Sequence, residues 1–189
     1  MKRICKMRTY KIFTAVCALT ILFTGCSGSN GSNISFRLGI DGSYTGFRNL
    51  PAEYTQQQAL EDKCLVRIDG DLFGGAEYWN DFVSRSAKKK NGGIRIANFW
   101  EGKAYFMDVF YHNGYYRCFS SDENTSLQDQ KFTLLLELEG TLPNAARSGK
   151  VTILTDDPTL TYKEVMWVFL SSNSHYRETI SPFKQIYID

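Results

Sequence analysis

The sequence predicts an α+β domain in which an antiparallel β-meander sheet of five to six strands packs against two to three helices. Residues 94–119 support the sheet, because apolar and polar side chains alternate around Asn113-Gly114, a pair typical of two-residue hairpin turns. Two Thr-x-x-Gln/Glu patterns, the signature of a helix capping box, support the helices. Several further short runs rich in branched residues predict additional strands.

The first part of the domain predicts two helices around one strand. Thr55 and Gln58 form the first capping box, so a short helix should run to about residue 62. Residues 64–68 are branched and apolar and predict a strand, which Asp69-Gly70-Asp71 ends in a turn. In residues 78–87 apolar side chains recur every three or four positions, which predicts an amphipathic helix ending at the following lysines and glycine.

The meander has a definite predicted register. If Asn113-Gly114 forms the turn, His112 lies opposite Tyr115. A second tight turn at Glu101-Gly102 completes a three-stranded meander. Because alternate residues share a face, one face should carry Ile94, Ile96, Met107, Val109, Tyr111, Tyr116 and Cys118.

The opposite face of the meander should carry three charged side chains. The register places Arg95 across from Asp108, with Arg117 on the diagonal. We interpret this trio as a ladder of opposite charges that is either solvated or covered by a helix. It could bind an anionic ligand if one of the arginines were free.

The remaining residues predict further strands and one more helix. Residues 131–139 and 151–155 should form strands, and residues 185–188 a last short strand. Thr161 and Glu164 form the second capping box, which predicts a helix over residues 162–171. The unbroken apolar run 165–170 would also suit a buried strand.

The N-terminal region has the features of a secretory signal. Residues 1–11 carry five basic side chains and no acidic one, and the apolar run 12–24 is shorter than the roughly 20 residues of a membrane-spanning helix. The run ends in Thr24-Gly25-Cys26, which resembles the lipobox of bacterial lipoproteins. This resemblance implies that the Cys26 thiol carries a diacylglycerol, and that the domain is lipid-anchored on the extracytoplasmic side of the cell membrane. An uncleaved amphipathic or membrane-anchoring helix is the alternative.

The chain therefore divides into three predicted segments. Residues 1–25 form the signal peptide, residues 26–50 the lipidated cysteine and a flexible tether, and residues 51–189 a single domain. Five of the 22 basic residues precede Cys26, so 17 basic residues face 20 acidic ones in the rest of the chain, a net charge of about −3. A mildly acidic domain without a basic face argues against nucleic-acid binding.

Two cysteines remain in the predicted domain, Cys64 and Cys118. Outside the cytosol they could form one disulfide. Both also lie in apolar, strand-like runs, where a free cysteine behaves as a small buried hydrophobe. The sequence leaves both alternatives open.

Catalytic and metal-binding motifs are not evident in the sequence. His112 and His175, the two histidines, do not have the spacing of zinc ligands, and no nucleophile motif has its partner residues. We therefore expect no metal and no cofactor. The remaining candidates for a binding surface are the hairpin tyrosines and the charged trio, namely Tyr111, Tyr115, Tyr116, Arg95, Asp108 and Arg117. Alternatively, helices and loops cover both faces of the sheet.

The order of elements over residues 54–122 resembles an uncharacterised group of small lipoproteins from Gram-positive bacteria. The resemblance is carried by Trp79 and Phe82 on a helix, then Gly-Ile-Arg-Ile, Glu-Gly-Lys and the tyrosine-rich hairpin. It implies a location and no activity. We therefore predict a non-catalytic binding module, attached to the membrane through Cys26, for an unknown protein or envelope ligand. A hydrolase-like extracytoplasmic enzyme and a structural envelope spacer are the alternatives.

Overall fold

The computed structural model describes residues 34–122, 130–142, 145 and 147–188. The predicted signal peptide, Cys26 and the start of the tether lie outside these residues. The described residues contain four helices and eight strands. The helices are α1 (Gln56–Glu61), α2 (Ala76–Ala87), α3 (Tyr162–Leu170) and α4 (Ser174–Thr179). The strands are β1 (Leu65–Ile68), β2 (Asp71–Gly74), β3 (Gly92–Trp100), β4 (Lys103–His112), β5 (Tyr115–Ser120), β6 (Leu134–Gly140), β7 (Gly149–Thr155) and β8 (Phe183–Ile186).

The predicted meander is present with the predicted register. Strands β3, β4 and β5 are antiparallel, with Arg95 opposite Asp108 and His112 opposite Tyr115. Both turns contain a non-glycine residue with positive φ, Glu101 and Asn113, followed in each case by a glycine with positive φ. This is the conformation that a type I′ hairpin turn requires.

The α+β class is confirmed, but the prediction of a single antiparallel sheet is wrong. The larger sheet has the order β2-β1-β3-β4-β5, and β1 runs parallel to β3. The connection from β1 to β3 runs through β2 and α2, which makes it long enough for the crossover that two parallel strands require. Strands β6, β7 and β8 form a second, antiparallel sheet.

The sequence did not predict β2 and α4, but it did predict both capping boxes. Strand β2 exposes both of its large apolar side chains, and α4 buries none of its residues, so neither has a clear amphipathic pattern. Both predicted capping boxes form, at Thr55 and at Thr161. The run 165–170 is therefore helical, as part of α3.

The two sheets and α2 enclose the main core. Trp79 and Phe82 of α2 pack against the predicted apolar face of the meander, together with Leu154 and Ile186 from the second sheet. Helix α3 covers the other face of the second sheet through Val165. The five-stranded sheet therefore has the helix α2 and a second sheet on one face.

Residues 34–50 and α1 cover the opposite face of the large sheet. Tyr44 is buried against Phe110 and Phe119, and its ring stacks on that of Phe119 with centroids 4.2 Å apart. The packed domain thus begins before residue 51, the predicted boundary. Sequence pattern missed this segment because isolated aromatic side chains, rather than a helix or strand period, attach it to the sheet.

Candidate functional site

The hairpin tyrosines do not form the exposed surface that the sequence suggested. Only 6% of the surface of Tyr111 and 7% of that of Tyr116 is exposed, because both side chains point into the core beside α2. Tyr115 is 45% exposed at the turn. One exposed ring remains, so this end of the hairpin is not an aromatic binding strip.

The charged trio is divided by its contacts. Asp108 is fully buried and accepts hydrogen bonds from Nε and Nη2 of Arg95, both at 2.7 Å, and from the Tyr44 hydroxyl at 2.5 Å. Arg95 also donates to the carbonyl oxygen of Gly46 at 3.0 Å. The guanidinium of Arg117 instead lies over the Phe36 ring, 5.0 Å from its centroid.

We predicted that the Arg95–Asp108 pair is either solvated or covered by a helix. Residues 34–50 cover it instead. Burial first, and the charge of Asp108 second, raise the pKa of the Tyr44 hydroxyl, which stays protonated as a donor. Burial tends to lower the pKa of Arg95, but its hydrogen bonds and charge interaction with Asp108 raise it overall. The hydrogen bonds that this pair forms with Tyr44 and Gly46 hold residues 34–50 on the sheet.

Cys64 and Cys118 are both buried and are not joined by a disulfide, so the possible bond between them is not formed. The two side chains belong to separate core clusters on opposite faces of the large sheet. Burial raises the pKa of the Cys64 thiol to about 12. A protonated, buried thiol is a poor nucleophile.

A cleft of about 640 Å³ opens between the two sheets, beside the β3–β4 turn. Its first wall is the face of the large sheet that carries Asn98, Trp100 and Tyr105. Its second wall is built by α3, α4 and the segment 180–187 that contains β8, and it carries Phe169 and Tyr187. The volume falls within the range of about 300–1,000 Å³ that is typical of small-ligand sites.

Four aromatic side chains that line this cleft are partly exposed. Trp100, Tyr105, Phe169 and Tyr187 retain 48%, 37%, 45% and 50% of their exposure. Exposed aromatic rings that converge on one concave surface are characteristic of binding sites. The sequence did not reveal this group, because the two walls come from segments more than sixty residues apart.

Polar side chains are placed among these rings. Asn98 lines the cleft, and its Oδ1 atom is buried without a hydrogen-bond partner within the described part of the chain. Arg177 also lines the cleft, and its Nη2 donates to the carbonyl oxygen of Ser171 at 2.9 Å. Asp122 and Lys184 complete the charged groups of the lining.

A second cavity of about 540 Å³ lies under residues 34–50, next to α1. Tyr54 and Cys64 line it, and the Tyr54 hydroxyl donates to Oδ2 of Asp62 at 2.5 Å. Burial first, and this hydrogen bond second, raise the pKa of Tyr54. Its lining is more polar and contains Arg95, whose contacts are those of the structural pair, so we regard the aromatic cleft as the better candidate.

Two further observations concern the described residues, and a third concerns the whole sequence. Their His, Cys, Asp and Glu side chains form no group of three that could hold a metal ion. None of the helices in residues 34–188 that the structure describes has the length and apolar character to cross a membrane. Comparison with protein-family models, curated proteins and solved structures gives no significant match to this chain.

Proposed function

We propose that this protein is a lipoprotein that binds a ligand of the cell envelope in the cleft between its two sheets. The observation that carries this function is the convergence of four partly exposed aromatic rings on one cleft of about 640 Å³. Aromatic side chains contribute most of the binding energy at many interfaces, because they bury a large area with little loss of conformational entropy.

The proposed location comes from the sequence. The basic residues 1–11, the apolar run 12–24 and Cys26 support attachment through lipid chains. Each buried methylene contributes about 0.8 kcal/mol, so two or three acyl chains would hold the domain stably at the membrane. The Gly- and Ser-rich residues 27–33 would place the domain on the order of 15 Å from the lipid.

Binding without catalysis agrees with the chemistry of the cleft lining. The described lining offers amide, hydroxyl, guanidinium and ammonium groups with one carboxylate, Asp122. A hydrolase that uses paired carboxylates needs two of them about 5–9.5 Å apart. The lining therefore supports recognition better than acid–base chemistry.

The test is crosslinking in intact cells followed by purification of the full-length protein. We expect a specific adduct that is lost in a Trp100→Ala, Tyr187→Ala double variant and retained in Tyr115→Ala. Tyr115 is the matched control, since it is a similarly exposed aromatic residue that lies opposite His112, the last residue of β4, away from the β3–β4 turn. Thermal unfolding must show that the double variant remains folded. Equal adduct yields from both variants would refute the cleft as the binding site.

Membrane attachment has a separate test. Cys26→Ala should abolish processing of the precursor and release the domain from the membrane fraction. Unchanged processing and membrane association would rule out the lipid anchor and leave the cleft proposal to be judged on the crosslinking result.

A further inference from the structure

The cleft combines exposed rings with an unsatisfied hydrogen-bond acceptor. Asn98 stands on the same sheet wall as Trp100, two residues away on β3, so both side chains point to the same face. The Asn98 Oδ1 atom is buried and has no partner among the described residues. Burying an acceptor without a partner is unfavourable, so a ligand that donates an O–H or N–H to this atom would remove that cost.

This acceptor restricts the ligand class. A purely aliphatic ligand could contact the rings but could not donate to Asn98. Sugars have both requirements in one ring: apolar C–H faces that pack on aromatic side chains, and hydroxyl or acetamido groups at the edge that donate hydrogen bonds. The C–H groups carry slight positive charge and meet the negative face of an aromatic ring favourably.

The charges of the lining favour a ligand with an anionic group. Arg177 and Lys184 contribute two cationic side chains, against one carboxylate from Asp122. The lining is thus net positive, although the chain after residue 25 has three more acidic than basic residues. The hydrogen bond from Arg177 to Ser171 uses one of its five N–H groups, and its planar guanidinium suits a carboxylate or phosphate.

On the basis of the proposed binding function, we infer that the cleft binds an anionic saccharide, with its rings between Trp100 and Tyr187 and a donor on Asn98. The anionic group lies toward Arg177. A peptide could supply the charge, but the neutral amide and hydroxyl side chains of the lining, including Gln185 and Ser120, match the many hydroxyl groups of a sugar better.

The experiment is calorimetric titration of the full-length protein in a detergent without a sugar headgroup. The probes are a neutral tetrasaccharide of N-acetylglucosamine and the matching tetrasaccharide in which alternate rings carry a lactyl carboxylate. A short acidic peptide is the third probe. We expect the carboxylated saccharide to bind about tenfold more tightly than the neutral one, a difference of about 1.4 kcal/mol.

Four single variants test the roles of individual residues. Trp100→Ala should lower the affinity for both saccharides by about tenfold or more. Tyr115→Ala should leave both affinities within about twofold of those of the unmodified protein. Arg177→Ala should remove the preference for the carboxylated probe while leaving the neutral one within about twofold. Trp100→Phe, which keeps an aromatic ring, should retain most of the affinity if Trp100→Ala proves unstable.

Asn98→Ala separates binding from folding. Removing an unpaired buried acceptor should leave the thermal stability unchanged or raise it, yet weaken saccharide binding by about tenfold. A purely structural role for Asn98 would lower stability and leave affinity in the folded protein unchanged, which would contradict the inference.

The outcomes distinguish the two proposals. If crosslinking in cells depends on Trp100 and Tyr187 but neither saccharide binds, the saccharide inference fails and the binding cleft stands. Preferential binding of the acidic peptide would likewise refute the saccharide inference and leave the binding cleft in place. If neither crosslinking nor titration depends on the cleft, both proposals fail.

Discussion

Asp108→Asn tests whether the buried ion pair attaches residues 34–50 to the sheet. Asp108 accepts three hydrogen bonds at 2.5–2.7 Å, from Arg95 and Tyr44, and none of its surface is exposed. An asparagine has nearly the same shape but carries no charge, and its amide donors would face the guanidinium of Arg95. Removing one partner of a buried pair leaves an uncompensated charge, which typically costs about 3–5 kcal/mol.

The expected loss is large compared with the total stability of a domain, about 5–15 kcal/mol. For a chain of this size it corresponds to a fall in melting temperature of about 6–20 °C. The assay is chemical denaturation of the full-length protein, with limited proteolysis as a local readout. We expect cleavage within residues 34–50 to accelerate in the variant, because the amide has one acceptor oxygen where the carboxylate has two, so the three hydrogen bonds from Arg95 and Tyr44 cannot all form.

Glu139→Gln is the matched control. Glu139 pairs with Lys150 at 3.9 Å, and both side chains are exposed, so its removal should cost less than about 1 kcal/mol. A loss of less than about 1 kcal/mol for Asp108→Asn as well would show that the buried pair does not hold this segment, and would refute the reasoning.

Two further predictions concern groups that burial keeps protonated. The pKa of Tyr44 is raised, so the folded protein retains its hydroxyl proton while the unfolded chain loses it near pH 10. The contribution of Tyr44 to the free energy of unfolding should therefore be fully present below about pH 10 and decrease at higher pH. Tyr44→Phe should flatten that fall in urea denaturation curves measured from pH 8 to 11, and an identical pH dependence would contradict the assignment. The Cys64 thiol, with a pKa of about 12, should react slowly with iodoacetamide at pH 8 in the native protein and rapidly after denaturation. Mass spectrometry of the peptide that contains Cys64 measures this reaction, and rapid labelling of the folded protein would show that the thiol is accessible.

The meander was predictable because its signals are local. Asn113-Gly114 determines the turn, and the period of two along each strand then fixes which residues face each other. The capping boxes at Thr55 and Thr161 are local in the same sense, since a donor and an acceptor three residues apart define a helix start. Each of these signals lies within one short, continuous stretch of sequence, the longest being residues 94–119.

The features that were missed depend on long-range packing. The parallel pairing of β1 with β3 places Leu65 beside Ile96, with β2 and α2 between them in the chain. Burial of Tyr44 on Asp108 joins residues sixty-four positions apart. The cleft required both the second sheet and the β3–β4 turn. Of the two alternatives that the sequence left open for the hairpin tyrosines, the covered one applies to Tyr111 and Tyr116, which are buried beside α2.

Site-specific photocrosslinking tests the central claim most directly. A photoreactive phenylalanine analogue replaces either Tyr187 in the cleft or Tyr115 at the start of β5, in cells that produce the full-length protein. On β4 the cleft extends as far as Met107, and Tyr115 lies opposite His112, five residues further along, so about 17 Å separates the second probe from the edge of the cleft. A ligand in the cleft therefore reaches the first probe and not the second. We predict an envelope-derived adduct at position 187 that is absent at position 115. An adduct at position 115 alone, or equal adducts at both positions, would contradict binding in the cleft.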